Sequence, residues 1–217
     1  MVRGVFITIE GCEGTGKSTQ ARMLAETLTK AGFSVKTLRE PGATKAGEAI
    51  REILLDPRQS GLDRRAELLL YEASRAQLVH DVIAPALASG LVVVCDRFTD
   101  STTAYQGYGR GIPLLEVAAL NEFSTAGITP DITILLDLDC VDALSRATGE
   151  GPDRLEAEDE QFHRRVYEGF SAIARAEPER VVVVDASGTC EEVAERVLEA
   201  ASRIPVLATV LDEGVHE

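Results

Sequence analysis

The run Gly11-Cys12-Glu13-Gly14-Thr15-Gly16-Lys17-Ser18 has the spacing G-x-x-x-x-G-K-[ST], a loop that can hold the phosphates of a nucleoside triphosphate. Its glycines let the backbone curl so that N–H groups face inward, and a helix starting at Lys17 adds the positive end of its dipole at the same place. Lys17 is then set to reach the β- and γ-phosphates and Ser18 to ligate Mg²⁺, so the span from Gly11 to Thr19 is the candidate ATP-phosphate site. A second signal is Val92-Val93-Val94-Cys95-Asp96-Arg97. An apolar strand that ends in Asp puts a carboxylate at the carboxyl edge of a sheet, where open α/β folds bind ligands. There Asp96 could hold the magnesium, directly or through water, and Arg97 would face an anionic substrate. The plainer alternative is a strand-end Asp that caps the following turn. A third signal is weaker. Tyr71 and Arg75 lie at i, i+4 on one helical face, an arrangement suited to a stacked and hydrogen-bonded nucleobase, although an exposed helical Arg is more often a solvated charge.

These residues need a scaffold, and the pattern supplies one by alternating strand and helix. Strands are predicted over Val5–Glu10, Ser34–Leu38, Leu91–Cys95, Ile132–Leu138 and Val181–Asp185. Helices are predicted over Lys17–Ala31, Ala46–Leu55, Ala66–Ala88, Leu114–Ala126, Glu158–Ala176 and Cys190–Ser202, with another beginning at Val141–Thr148. Pro85 is expected to kink or end the long third helix. The alternation implies an α/β fold, a parallel sheet of about five strands with helices on both faces. Gly149–Asp159 reads as a mobile loop. One domain over 1–217 is the economical organisation.

Composition removes several function classes. The net charge of −14 argues against a nucleic-acid partner, which needs an excess of Lys and Arg, but leaves room for a small anionic ligand met by a few focused cations. No apolar run approaches the roughly 18 residues that span a bilayer, and no cleavable signal is present, so a cytoplasmic protein with no membrane partner is expected. The four cysteines, Cys12, Cys95, Cys140 and Cys190, form no Cys-x-x-Cys pair, and reduced thiols are expected.

An ordered set of motifs then narrows the reading. Phe6-Ile7-Thr8-Ile9-Glu10-Gly11, the phosphate loop, Arg39-Glu40-Pro41-Gly42, Cys95-Asp96-Arg97, Ser101-Thr102-Thr103-Ala104-Tyr105-Gln106-Gly107, Pro130-Asp131-Ile132-Thr133, Asp153-Arg154-Leu155-Glu156 and Phe162-His163 resemble the motif set of bacterial thymidylate kinases. The likeness spans roughly residues 3 to 200. It implies a three-layer P-loop NTPase fold with a small lid at about 146–158, and transfer of a phosphoryl group from MgATP to thymidine 5′-monophosphate. By the same resemblance Arg97 grips the acceptor phosphate, Tyr71 stacks on thymine, Arg75 addresses its O4 edge and Thr102 its N3 side. Tyr105 and Gln106 close around sugar and base, with Tyr105 crowding the place of a 2′-hydroxyl. Glu13 sits near the 3′-hydroxyl, and Glu40, Pro41, Arg51 and Ser101 complete the pocket.

The lid departs from the family pattern. A phosphate loop without an arginine, as here, usually goes with basic residues in the lid, yet the stretch Arg146–Arg154 holds few, and Thr148 stands where an arginine is common. Arg154 is the first candidate for the transition-state cation and Arg146 the second. The resemblance further implies a homodimer. The rival readings are a kinase for another nucleoside monophosphate and a P-loop switch or motor ATPase. The second is disfavoured because the chain has no Asn-Lys-x-Asp guanine-reading motif.

Overall fold

The computed structural model describes residues 3–59, 61–138, 143 and 153–208. Five parallel strands form one sheet in the order β2-β3-β1-β4-β5, where β1 is Val5–Glu10, β2 Val35–Arg39, β3 Val92–Asp96, β4 Ile132–Asp137 and β5 Val181–Asp185. The inner strands are apolar because both of their faces are covered, and every residue of β1 and β3 is buried. The edge strands β2 and β5 carry exposed positions instead.

Successive residues of a strand point to opposite faces, and the core divides accordingly. On one face Ile7, Ile9, Val94 and Ile134 pack against Leu24 and Leu28 of α1 (Lys17–Lys30) and against Val193 and Val197 of the C-terminal helix, Cys190–Ala201. On the other, Phe6 and Val93 meet Leu78 and Ile83, while Leu135 meets Phe162 and Phe170 of the helix Glu160–Ala176. Helix, sheet and helix thus form three layers.

The remaining helices are α2 (Lys45–Leu55), α3 (Arg64–Leu78), α4 (Ala84–Ala88), α5 (Thr99–Thr102) and α6 (Leu114–Thr125); in chain order the helices Glu160–Ala176 and Cys190–Ala201 are α7 and α8. Their starts follow side-chain caps. Thr44 accepts from the Gly47 N–H, Asp63 from Arg65 and Asp159 from Phe162, while Thr189 and Glu192 cap each other's backbone.

The regular α-helix stops at Leu78, and the chain widens into a π-turn over Val79–Ile83 before resuming as α4. The interruption thus falls directly before Pro85, whose ring and missing N–H a regular α-turn there would not accommodate. A second π-turn, Thr103–Gly109, continues α5, and neither was anticipated from the sequence. The expected helix at Val141–Thr148 lies outside the described residues apart from Ala143. So does most of the lid, including Arg146. The described end of the expected mobile loop is packed: Asp153 accepts from the Leu155 and Glu156 N–H groups, and Arg154 and Leu155 are buried. Among the described residues no helix is long and apolar enough to cross a membrane.

Candidate active site

β1 leads toward β2 on one side of the sheet and β3 leads toward β4 on the other, so their adjacent carboxyl ends frame the crevice at a topological switch point. A cavity of about 390 Å³ opens there, a volume suited to a nucleotide-sized ligand.

The phosphate loop forms one wall. Gly11, Gly14 and Gly16 have φ of 143°, 76° and 88°, in the region where a side chain is strained, and a Cβ on Gly11 would lie 2.7 Å from the Leu136 carbonyl. The Thr15 hydroxyl donates to the Cys12 carbonyl at 2.9 Å and closes the loop, and Lys17 Nζ donates to the same carbonyl at 2.6 Å. Neither a side-chain cap nor an acidic first-turn residue occupies the N-terminus of α1, which leaves its N–H groups for an anion. Glu13, Gly14, Gly16, Lys17, Ser18 and Thr19 line the cavity. Cys12 is disulfide-bonded, unlike the reduced state expected of it, whereas Cys95 and Cys190 are free. Separation along the chain says nothing about approach in space.

The second wall is the turn after β3. Ser18 Oγ donates to Asp96 Oδ2, which brings the two expected metal ligands together. Among the described residues no group of three His, Cys, Asp or Glu could cage a metal by itself. Two oxygen ligands fit Mg²⁺, which takes few protein ligands and completes its shell with phosphate and water. Arg97 has φ 72°, a strained conformation for a non-glycine residue. Its Nη1 donates to the Gly11 carbonyl at 3.2 Å and to Ser101 Oγ at 2.9 Å, and its Nη2 meets Glu13 at 2.5 Å and the Tyr105 hydroxyl at 3.3 Å.

Helix α3 and the α5 segment make the third wall. Tyr71, Thr102, Tyr105 and Gln106 line the cavity, together with Glu40, Pro41 and Arg51, whose Nη1 donates to the Pro41 carbonyl. Arg75 also lines it, but its five N–H groups are already engaged by Glu40, Glu72, Asn121, the Phe98 carbonyl and Thr102. It acts first as the buried brace of this wall. Glu40 Oε1, by contrast, is buried with no hydrogen-bond partner among the described residues.

Arg154 is not brought to the cavity. Its guanidinium turns the other way, donating to the Leu54 carbonyl at 2.8 Å and to Glu67 at 2.5 Å, because the Asp153 cap fixes a turn that sends Leu155 toward the cleft and Arg154 toward the end of α2. Two carboxylates that the sequence reading passed over matter here. Glu67 gathers Gln106, Arg110 and Arg154, and it stands at i−4 from Tyr71 and i−8 from Arg75, so the stripe was visible in the spacing. Glu10 ends β1 directly before the loop, and a carboxylate closing a buried apolar strand is itself a signal.

The charges respond to this crowding. Burial, and after it the neighbouring Arg97, pushes the Lys17 ammonium down to about 8 from its ordinary 10.5. Burial works to raise the Glu13 carboxyl, but Arg97 and Lys17 beside it hold it below the ordinary carboxylate value. Burial, with the Asp100 charge second, pushes Glu10 up to about 8. For Lys17 a pH dependence follows. The free cleft loses this proton as pH rises through about 8, whereas a polyphosphate favours the charged form, so nucleotide affinity should fall above that pH. The limiting slope is about tenfold in Kd per pH unit. Titration with a non-hydrolysable ATP analogue between pH 7 and 9.5 checks this, and a flat Kd across that range refutes it.

A phosphate loop at the switch point, a Ser–Asp pair for a metal and an arginine facing the loop define a P-loop kinase that moves a phosphoryl group between two anions. A family model described as thymidylate kinase matches residues 9–197. Relatives named thymidylate kinase include one from Synechococcus sp. (strain JA-3-3Ab), 54% identical over 195 residues, or 89% of this chain and 93% of the relative. Another, from Solidesulfovibrio magneticus, is 51% identical over 89% of this chain and 96% of its own length. The crystal structure of thymidylate kinase from Ehrlichia chaffeensis superposes with a TM-score of 0.78 at 34% identity, covering 92% of this chain and 99% of that one. The chain belongs to the thymidylate kinase family.

Proposed function

We propose that the cleft transfers the γ-phosphoryl group of MgATP to thymidine 5′-monophosphate, giving the diphosphate. The observation that carries this reading is Arg97, held by its Nη1 edge between the Gly11 carbonyl and Ser101 beside the phosphate loop, with its Nη2 edge directed at Glu13. The acceptor oxygen is already ionised at neutral pH, so no general base is needed, and catalysis reduces to aligning two anions and neutralising charge between them. Lys17 and the α1 N-terminus hold the donor. Arg97 exchanges Glu13 for the acceptor phosphate, which frees Glu13 for the sugar 3′-hydroxyl. Tyr71 supplies the stacking face, Thr102 and Gln106 read the base, and Tyr105 crowds the 2′ position. Ser18 and Asp96 would hold Mg²⁺, which supplies charge neutralisation on the phosphates when bound.

With Arg154 committed to Glu67, the transition-state cation falls to Arg97 and to any basic residue the lid brings. The enzyme is proposed to work in the cytoplasm as a homodimer. The exposed apolar side chains Leu69 on α3 and Leu115 and Phe123 on α6, the last two 87% and 84% exposed, support an isologous face, since these helices pack side by side.

A coupled ADP-release assay across nucleoside monophosphates tests the reading. Thymidylate should be the best acceptor, and a clear preference for a ribonucleotide, or ATP turnover without any acceptor, would sink it. In the same assay Arg97→Ala should lower kcat/KM for thymidylate by about 100-fold, in line with a lost charge-assisted pair, while KM for ATP stays close to normal. A matching rise in the ATP KM would remove Arg97 from the acceptor side.

A further inference from the structure

Glu10 is the last residue of β1 and has 0% exposure. Burial works against its charge, but the Ser101 hydroxyl, Arg97 and the Phe98 N–H all favour the ionised form, in which both oxygens accept and both are engaged. Oε1 accepts from the Phe98 N–H at 2.7 Å, and Oε2 accepts from the Ser101 hydroxyl at 2.6 Å. Capping the turn after Arg97 would need only the first of these. The second has a different consequence, because a serine hydroxyl carries one hydrogen. With that hydrogen committed to Glu10, the Ser101 oxygen presents lone pairs to Arg97, whose Nη1 donates to it at 2.9 Å. While Glu10 is ionised, the chain Arg97 to Ser101 to Glu10 therefore runs in one direction. It fixes one edge of the guanidinium and leaves the other, Nη2, on the Glu13 side.

We propose that Glu10 is a positioning residue for the acceptor-phosphate clamp: by orienting the Ser101 hydroxyl it holds the Nη1 edge of Arg97 in place and keeps the Nη2 edge directed at the incoming monophosphate. This rests on the reading of Arg97 as the acceptor-phosphate ligand.

Glu10→Gln nearly preserves shape but replaces two acceptors with one acceptor and one donor. If the amide oxygen meets the Phe98 N–H, the amide NH2 faces Ser101 and turns the hydroxyl hydrogen toward Arg97. If the amide is reversed, its NH2 opposes the Phe98 N–H, donor against donor. Either orientation breaks the chain.

Steady-state kinetics of Glu10→Gln, Ser101→Ala and the double variant test the proposal. In each single variant KM for thymidylate should rise about tenfold, the order of one hydrogen bond to a charged group, while KM for ATP changes by less than about twofold. The double variant should be no worse than the weaker single, since links in one chain do not add. Equal rises in both KM values, as a loosened phosphate loop would give, overturn the proposal, and so does multiplication of the two losses. Should Glu10→Gln fail to fold, a normal thymidylate KM in Ser101→Ala overturns it equally. Wild-type activity separates the two layers: a chain inactive on thymidylate sinks the functional reading, whereas an active wild type with an indifferent Glu10→Gln sinks this role alone.

Discussion

Lys17→Ala should lower kcat by about 10³-fold with the fold intact, the upper range for removing one preorganised electrostatic group from an active site. The side chain is buried in the phosphate loop, and its protein partner is the Cys12 carbonyl, 2.6 Å away. A carbonyl that loses this contact still accepts the Thr15 hydroxyl, so little else comes undone. Glu13 keeps Arg97 as its counter-ion. Burial and the neighbouring Arg97 both work against the Lys17 charge in the folded state, so the alanine variant should melt at the wild-type temperature or above. The loss therefore belongs to the transition state, where charge spreads over the γ-phosphoryl oxygens at the place Nζ would occupy. Single-turnover measurements with saturating nucleotides, paired with thermal melts, separate the two quantities. A variant within tenfold of the wild-type rate, or one that slows only because it unfolds, would remove Lys17 from its assigned place.

The sheet is legible in the sequence because Val5–Glu10, Val92–Asp96 and Ile132–Asp137 are apolar runs too short for helices, each needing cover on both faces. The phosphate loop is legible because its glycines have no side chain to place. The α5 segment is harder to read. Thr99–Gly109 is rich in Thr and Gly, weak helix formers, and its π-turn is fixed by packing: a Cβ at Gly109 would lie 2.7 Å from Phe162. Arg154 shows a second limit, since spacing gives a residue's place along the chain but not the direction its side chain takes once a neighbour caps the turn. Arg75 shows a third. The i, i+4 pairing with Tyr71 correctly puts both beside the cavity, yet nothing in that spacing reveals Glu40, Glu72 and Asn121 arriving from elsewhere to take its N–H groups.

That saturation makes Arg75 the place where stability and substrate recognition meet. Arg75→Leu should destabilise the protein by about 3–5 kcal/mol, the cost of removing one partner from a buried ion cluster. The side chain is 1% exposed, and its loss strands the Glu40 and Glu72 carboxylates in the interior. Glu72 retains the Ser124 hydroxyl, whereas Glu40 already has one oxygen without a partner. Burial, opposed by Arg75, sets the Glu40 pKa at about 7, and without Arg75 it must rise further. A folded carboxyl pKa above the unfolded 4.5 means that the native state binds more protons than the unfolded chain, so stability falls as pH rises from 4.5 toward the folded pKa. The penalty in Arg75→Leu should thus be smaller at pH 5.5 than at pH 8, and Arg75→Leu combined with Glu40→Leu should recover part of it by removing the stranded charge. Urea denaturation at the two pH values measures all three quantities. A loss below about 1 kcal/mol, the scale of an exposed ion pair, would mean that Arg75 is held loosely enough to serve the base directly and that the brace lies elsewhere.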